Sequence, residues 1–237
     1  MKIGIFDSGK GGLTVLNEIK KLLPDYEYIY VGDSKNNPYG EKSEEELIEI
    51  TTKISKFLIC NNCKIIVIAC NTATTRCMKT LRKKFPDTIF IGTVPAIKVA
   101  CDNNYKNILL LATTATINSK RVEELVKDNK KEGQEIYLKA CPNLASSIEA
   151  DNKEKINSLL NEYLKDYKGK NIDCIVLGCT HYPIVKEEIN NIIHCNIIDG
   201  GYGVAKEVKH QIELNNLILN KSNSKTAVYN TLTDNII

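Results

Sequence analysis

Short runs of β-branched and apolar residues alternate along this chain with longer stretches whose apolar residues recur at helical spacing. That alternation restricts the fold more than any other feature of the sequence. The runs at 2–6, 27–31, 64–69, 88–91, 107–111, 135–139, 173–177 and 196–198 read as strands. Between them, residues 13–23 place Leu13, Leu16, Ile19, Leu22 and Leu23 on one helical face before Pro24. Ser43 through Glu46 has the form of a capping box opening a helix that carries Leu47, Ile50, Ile54, Phe57 and Leu58. Further helices are expected at 119–129, 153–167 and 184–193, a loop at 220–224 and a last short strand at 226–231. Strand followed by helix followed by strand predicts an α/β fold of doubly wound, mainly parallel sheets.

The chain of 237 residues is long enough for two such sheets, and an internal echo points the same way. Ala69-Cys70-Asn71-Thr72 closes an apolar strand, and so does Gly178-Cys179-Thr180-His181, with the two cysteines 109 residues apart. The strands at 2–6 and 107–111 form a second matched pair. Two similar halves facing each other across a central cleft are therefore expected. The first would comprise residues 1–94 with about 206–237, and the second residues 95–205.

In open parallel sheets ligands gather beyond the carboxyl ends of the strands. Reading off those ends gives Asp7-Ser8, Gly32-Asp33, Cys70-Asn71-Thr72, Thr113-Thr114, Cys141, Cys179-Thr180-His181 and Asp199. Cys70 stands just ahead of a helix, where the dipole favours a thiolate. The ordinary role of such a cysteine is to fill core space; the matched pair argues for chemistry. Two acid–base groups are what an inversion at carbon requires, one to take a proton from one face and one to deliver a proton to the other. Asp7 can serve Cys70 or simply cap the following helix. His181, two residues beyond Cys179, can relay a proton, whereas His194 and His210 read as structural. Ser8, Asn71, Thr72 and Thr180 offer donors at helix N-termini to a carboxylate, and the backbone of Gly40 can approach a ligand closely.

Other patterns carry less. Asp7-Ser8-Gly9-Lys10-Gly11-Gly12 matches neither phosphate-loop nor dinucleotide spacing and reads as a tight turn. Cys60-Asn61-Asn62-Cys63 has no second pair to complete a zinc site, so no metal is expected. The net charge of +3 shows no basic stripe, which argues against a nucleic-acid partner. Asp7 arrives before a signal-peptide apolar region could form, and no apolar run reaches the roughly 18 residues that span a bilayer. A cytoplasmic protein without a membrane partner is expected, its nine cysteines reduced.

The motifs as a set resemble the glutamate racemases of the aspartate/glutamate racemase superfamily: 3–14 around Asp7-Ser8-Gly9, Gly32-Asp33-Ser34 with Pro38-Tyr39-Gly40, Ala69-Cys70-Asn71-Thr72-Ala73, and 177–183 around Cys179-Thr180-His181. They run in matching order from about residue 2 to 210. Thr-His after the second cysteine resembles the glutamate enzymes, where the related aspartate racemases usually carry Thr-Glu. The resemblance implies two α/β domains with the site between them, no cofactor, and interconversion of L- and D-glutamate to supply peptidoglycan. It implies that Cys70 and Cys179 are the acid–base thiols, assisted by Asp7 and His181. It further implies that Ser8, Tyr39, Gly40, Asn71, Thr72, Thr116 and Thr180, with Asp7 and His181, contact substrate, and that Glu149 stands behind them. The sequence departs from the family at 143–147, where an apolar run becomes Asn-Leu-Ala-Ser-Ser, and at Asp199-Gly200-Gly201, where Asp-Ser-Gly is usual. Racemisation of aspartate or a hydantoin on the same scaffold, or a small-anion binder without turnover, are the competing readings. Whether two copies pair as a homodimer is left open.

Overall fold

The structure, a computed structural model, describes residues 1–220, 225–234 and 236; the loop expected at 220–224 lies, beyond Asn220, outside the described residues. The chain divides into two compact units, Met1–Thr93 with Gly201–Ile237, and Val94–Gly200.

The first unit begins β1 (Lys2–Asp7), α1 (Leu13–Leu22), β2 (Tyr28–Gly32), α2 (Glu44–Cys60), β3 (Cys63–Ile68), α3 (Asn71–Lys84) and β4 (Ile89–Gly92). The second unit follows as α4 (Ile97–Asp102), β5 (Asn107–Ala112), α5 (Thr114–Ile117), α6 (Lys120–Asn129), β6 (Glu135–Ala140), α7 (Leu144–Glu149), α8 (Lys153–Leu164), β7 (Cys174–Gly178), α9 (Lys186–Ile192) and β8 (Asn196–Asp199). The chain then returns to the first unit as α10 (Gly201–Leu214) and β9 (Thr226–Asn230).

Every strand pairs in parallel. The first sheet runs β4-β3-β1-β2-β9 and the second β6-β5-β7-β8. Counted within its own unit, each sheet has its first four strands in the order 2-1-3-4, so β1 corresponds to β5 and β3 to β7. The sequence echo thus becomes a topological one. Successive side chains on a strand point to opposite faces, and helices cover both faces of both sheets. In the first sheet, Ile3, Ile5, Ile65 and Val67 pack under Val15 and Ile19 of α1 and Val204 and Val208 of α10. Phe6, Val31, Ile66 and Ile68 pack on Leu47 and Leu58 of α2 and Ala73, Cys77 and Leu81 of α3. In the second, Leu109, Leu111, Ile175 and Leu177 meet α7, α8 and α9, while Ile108, Leu110 and Val176 meet α4 and α6. The expected doubly wound arrangement is present in each unit.

The capping box forms as the sequence predicts. Ser43 Oγ accepts from Glu46 N at 3.1 Å, and Ser43 N donates to Glu46 Oε2 at 2.8 Å. Two expected helices are shorter than their periodicity suggests. The stretch 184–193 starts as a 3₁₀ turn, Tyr182–Val185, closed by bonds from Tyr182 N to Cys179 O and from Ile184 N to His181 O, before α9 begins. The stretch 153–167 ends as α-helix at Leu164 and adds a 3₁₀ turn, Lys165–Tyr167. Helix α10 is continuous from Gly201, and its apolar face of Val204, Ala205, Val208 and Ile212 lies wholly in the first unit's core. Among the described residues no helix is long and apolar enough to cross a membrane.

Candidate active site

In each sheet the chain leaves the paired first and third strands toward helices on opposite faces, which creates the crevice where doubly wound folds bind ligands. In the first unit that point lies between the ends of β1 and β3, paired through Phe6 and Ile68. Asp7 ends β1, and Cys70 follows β3 at the N-cap of the 14-residue helix α3. Cys70 is 6% exposed, so it is packed but reachable. The dipole of a helix this long favours a thiolate at its first turn. Asn71 is 4% exposed, and its side-chain oxygen Oδ1 is buried without a hydrogen-bond partner among the described residues. Such an atom costs about 1–3 kcal/mol until a donor reaches it. Thr72, the next residue of α3, is buried as well.

Asp7 is fully buried and one of its oxygens, Oδ2, accepts from Gly12 N at 2.9 Å and Gly9 N at 3.3 Å. The glycine run therefore wraps the carboxylate; the N-cap of α1 is Gly12 and carries no side-chain cap, so the capping role weighed for Asp7 is not what its carboxylate performs. Gly12 is required by close approach: a Cβ there would stand 2.5 Å from Asp7 Cβ and 2.8 Å from the Tyr30 hydroxyl. We expect Gly12→Ala to displace Asp7, costing about 1–3 kcal/mol of stability as overpacking does and lowering activity more than stability. Denaturant unfolding and turnover measured on the same preparation check this. Ser8 is buried beside Asp7, and its carbonyl accepts from Asn37 Nδ2 at 3.0 Å. Tyr39 and Gly40 share a 3₁₀ turn, Tyr39–Glu41. The Tyr39 hydroxyl is buried and donates to Asp33 Oδ2 at 2.6 Å. Burial holds its pKa well above the usual tyrosine value, with the Asp33 carboxylate next and Cys70 and Asp7 adding to it. Tyr39 therefore stays a neutral donor, in electrostatic reach of both groups.

In the second unit the corresponding strand ends are those of β5 and β7, in register through Ala112 and Gly178. A Cβ on Gly178 would lie 2.8 Å from Ala112 Cβ, which explains the glycine before Cys179. Cys179 is 8% exposed. Only a 3₁₀ turn follows it, so its support is a side-chain chain instead. Cys179 Sγ lies 3.9 Å from His181 Nδ1, and His181 Nε2 lies 2.7 Å from Glu149 Oε2. An ionised carboxylate only accepts, so Nε2 carries the hydrogen, and in the neutral ring Nδ1 then faces the thiol as an acceptor. Thr180 Oγ1 approaches the same Nδ1 at 3.5 Å. Glu149 is brought there by α7, whose Leu144 and Ile148 are buried. Ser147 of the polar run is buried with them, so the inward side of α7 carries a hydroxyl among its apolar residues. Thr116 is fully buried in α5, its backbone N and Oγ1 both bonded to Thr113 Oγ1.

The structure thus groups Asp7, Ser8, Tyr39, Gly40, Cys70, Asn71 and Thr72 around one switch point. It places Thr116 at the other, where Cys179, Thr180, His181 and Glu149 are linked by the contacts above. Burial pushes Cys63, Cys141 and Cys174 up to about 12 and Cys77 and Cys195 up to about 11, so these stay thiols at neutral pH. Cys60 is exposed and Cys63 buried at the opposite end of β3, and among the described residues no disulfide and no cluster of three or more metal-ligating groups is present. His194 and His210 lie on the surface. Asp33 was legible as a strand-end acid, but its partner Thr231 carried no signal in the sequence.

The family model for Asp/Glu/hydantoin racemase matches residues 10–208. A glutamate racemase of Clostridium perfringens strain SM101 is 40% identical over 99% of this chain and 92% of its own length. The glutamate racemase of Escherichia coli, solved with L-glutamate and the activator UDP-MurNAc-ala, superposes with a TM-score of 0.85 at 32% identity, covering 97% of this chain and 88% of the other. That of Francisella tularensis, solved with D-glutamate, superposes with a TM-score of 0.83 at 33% identity and the same coverage.

Proposed function

The chain belongs to the Asp/Glu/hydantoin racemase family, and from that membership we propose that it interconverts L- and D-glutamate by proton transfer at the α-carbon, with Cys70 and Cys179 as the two acid–base groups. The observation that carries this reading is the equivalence of the two thiols. Each stands just past the third strand of its sheet, at the switch point, with its own polar support.

One sulfur begins as thiolate and removes the α-proton; the other begins as thiol and delivers a proton to the opposite face. The product leaves with inverted configuration, the thiols have exchanged states, and the return reaction starts from there. The chemistry requires the two sulfurs on opposite sides of one bound α-carbon. A carbanion beside a carboxylate is costly, so donors fixed around that carboxylate lower the barrier. Ser8, Thr72, Thr116 and Thr180, with the backbone at Gly40 and the Tyr39 turn, are suited to that task, and the orphan oxygen of Asn71 suits the substrate ammonium. Asp7 assists Cys70, and His181, oriented by Glu149, takes and returns the Cys179 proton. The reaction needs reduced thiols, which fits a reducing compartment. The D-glutamate formed supplies peptidoglycan.

Incubation with L-glutamate in deuterium oxide, followed by chiral chromatography and mass spectrometry, tests the proposal. Equal amounts of the two enantiomers should accumulate, the D form carrying one deuterium at Cα. Turnover of aspartate or a hydantoin with glutamate untouched would move the activity elsewhere in the family. Binding of glutamate without exchange would leave only a binder.

A further inference from the structure

Just past β9 stands a residue that is tied to the candidate substrate loop through a buried acid. Asp33 is fully buried at the end of β2, and Thr231, just past β9, is buried too. Thr231 Oγ1 donates to Asp33 Oδ1 at 2.6 Å and accepts from Lys35 N at 3.1 Å. Its backbone N donates to Gly32 O at 3.1 Å. The other oxygen of Asp33 accepts the Tyr39 hydroxyl at 2.6 Å, and Asn36 Nδ2 reaches both oxygens at 2.9 and 3.0 Å. Asn230 Nδ2 adds a bond to Ser34 Oγ at 3.2 Å, while β9 pairs with β2 from Tyr28 to Gly32. The segment between β2 and α2 is short of regular structure, with only the 3₁₀ turns Ser34–Asn36 and Tyr39–Glu41. It has little ladder of its own to hold it.

We propose that Thr231 is a positioning residue for the reaction: through Asp33 it fixes the 34–41 loop, and so the Tyr39 and Gly40 groups offered to the substrate. The inference rests on the glutamate reading above for its kinetic part alone. An isolated loop with a neutral donor at its tip would sample many positions. Anchoring both oxygens of a buried carboxylate, one to the loop and one to a strand nearly two hundred residues away in sequence, selects one of them. The order so imposed is conformational entropy settled before the substrate arrives. Asn37 Nδ2 on Ser8 O continues the same clasp into the loop after β1.

The test uses the full chain. Thr231→Val keeps the shape and removes the hydroxyl; Thr231→Ser keeps the hydroxyl. For Thr231→Val the KM for glutamate should rise about tenfold, the size of one lost hydrogen bond to a charged group, with kcat changed far less. Thr231→Ser should restore the wild-type KM. In a cycle with Tyr39→Phe, the double variant should be no worse than Tyr39→Phe alone, since both act through the same Asp33 carboxylate. An unchanged KM in Thr231→Val, failure of serine to restore it, or full additivity would each overturn the proposal. Amide hydrogen exchange separates this from the assignment of substrate, because it needs none. Exchange over 34–41 should quicken in Thr231→Val and not in Thr231→Ser even if the wild type proves inactive on glutamate. Unchanged exchange overturns the clasp itself.

Discussion

Replacing either Cys70 or Cys179 by alanine should lower glutamate racemisation by about 10³-fold or more, the upper part of the range for a lost acid–base group, while thermal unfolding stays close to wild type. Each thiol is buried at the edge of its cluster with a small exposed fraction, and an alanine leaves the strand ends and their backbone hydrogen bonds in place. The two variants should also differ from each other in a specific way. With one thiol gone, the other can still remove an α-proton from the face it addresses and return a deuteron there. Each variant should therefore exchange the α-hydrogen of one enantiomer with solvent and leave its configuration unchanged, and the enantiomer should be opposite in the two variants. Proton NMR of L- and D-glutamate in deuterium oxide reads this directly. Exchange of the same enantiomer in both variants would place both thiols on one face and contradict the proposal. Undiminished racemisation in either would remove that cysteine from the chemistry.

His181→Asn should lower kcat by about 10²-fold, with a small change in KM. An asparagine can hold a hydrogen bond near Cys179 but cannot take its proton. Glu149→Gln should give a smaller loss, because it removes the carboxylate that fixes the imidazole hydrogen on Nε2 and leaves the ring itself. The double variant should resemble His181→Asn, since Glu149 acts through the ring. Because two enantiomers in water are equal in free energy, kcat/KM must fall equally in both directions in every variant. Circular-dichroism assays started from each enantiomer measure these values. A Glu149→Gln variant as slow as His181→Asn would give the carboxylate a role beyond orienting the histidine. A His181→Asn variant at wild-type kcat would mean that Cys179 exchanges its proton by another route.

The asymmetry of support follows from local structure. Cys70 precedes a helix of fourteen residues, and Cys179 precedes a 3₁₀ turn. A short turn offers little dipole, and the side-chain chain through His181 to Glu149 supplies what the backbone does not.

What the sequence revealed and what it hid follow one division. Central strands such as β3 and β7 are buried on both faces, so their apolar runs are dense and their ends legible, and the residues just past them, Cys70 and Cys179, could be named from pattern alone. The capping box was equally legible because its partners are three residues apart. The break in the 184–193 stretch was not, since the apolar spacing of a 3₁₀ turn and of the α-helix after it run together. Helix α10 was not among the expected helices, and the return to the first unit, expected at about 206, begins at Gly201, where the helix starts. The link from Thr231 to Asp33 spans 198 residues and that from His181 to Glu149 spans 32, and no local period encodes either. The family resemblance singled out Glu149 without its partner, and both links came into view only through the coordinates.

A crystal structure of the full chain with glutamate bound measures the central claim most directly. Cys70 Sγ and Cys179 Sγ should lie about 3–3.5 Å from the substrate Cα, one on each side of the plane through its carboxylate, nitrogen and side chain. Both sulfurs on the same side, or either one far from Cα with the substrate fully enclosed, would contradict the account.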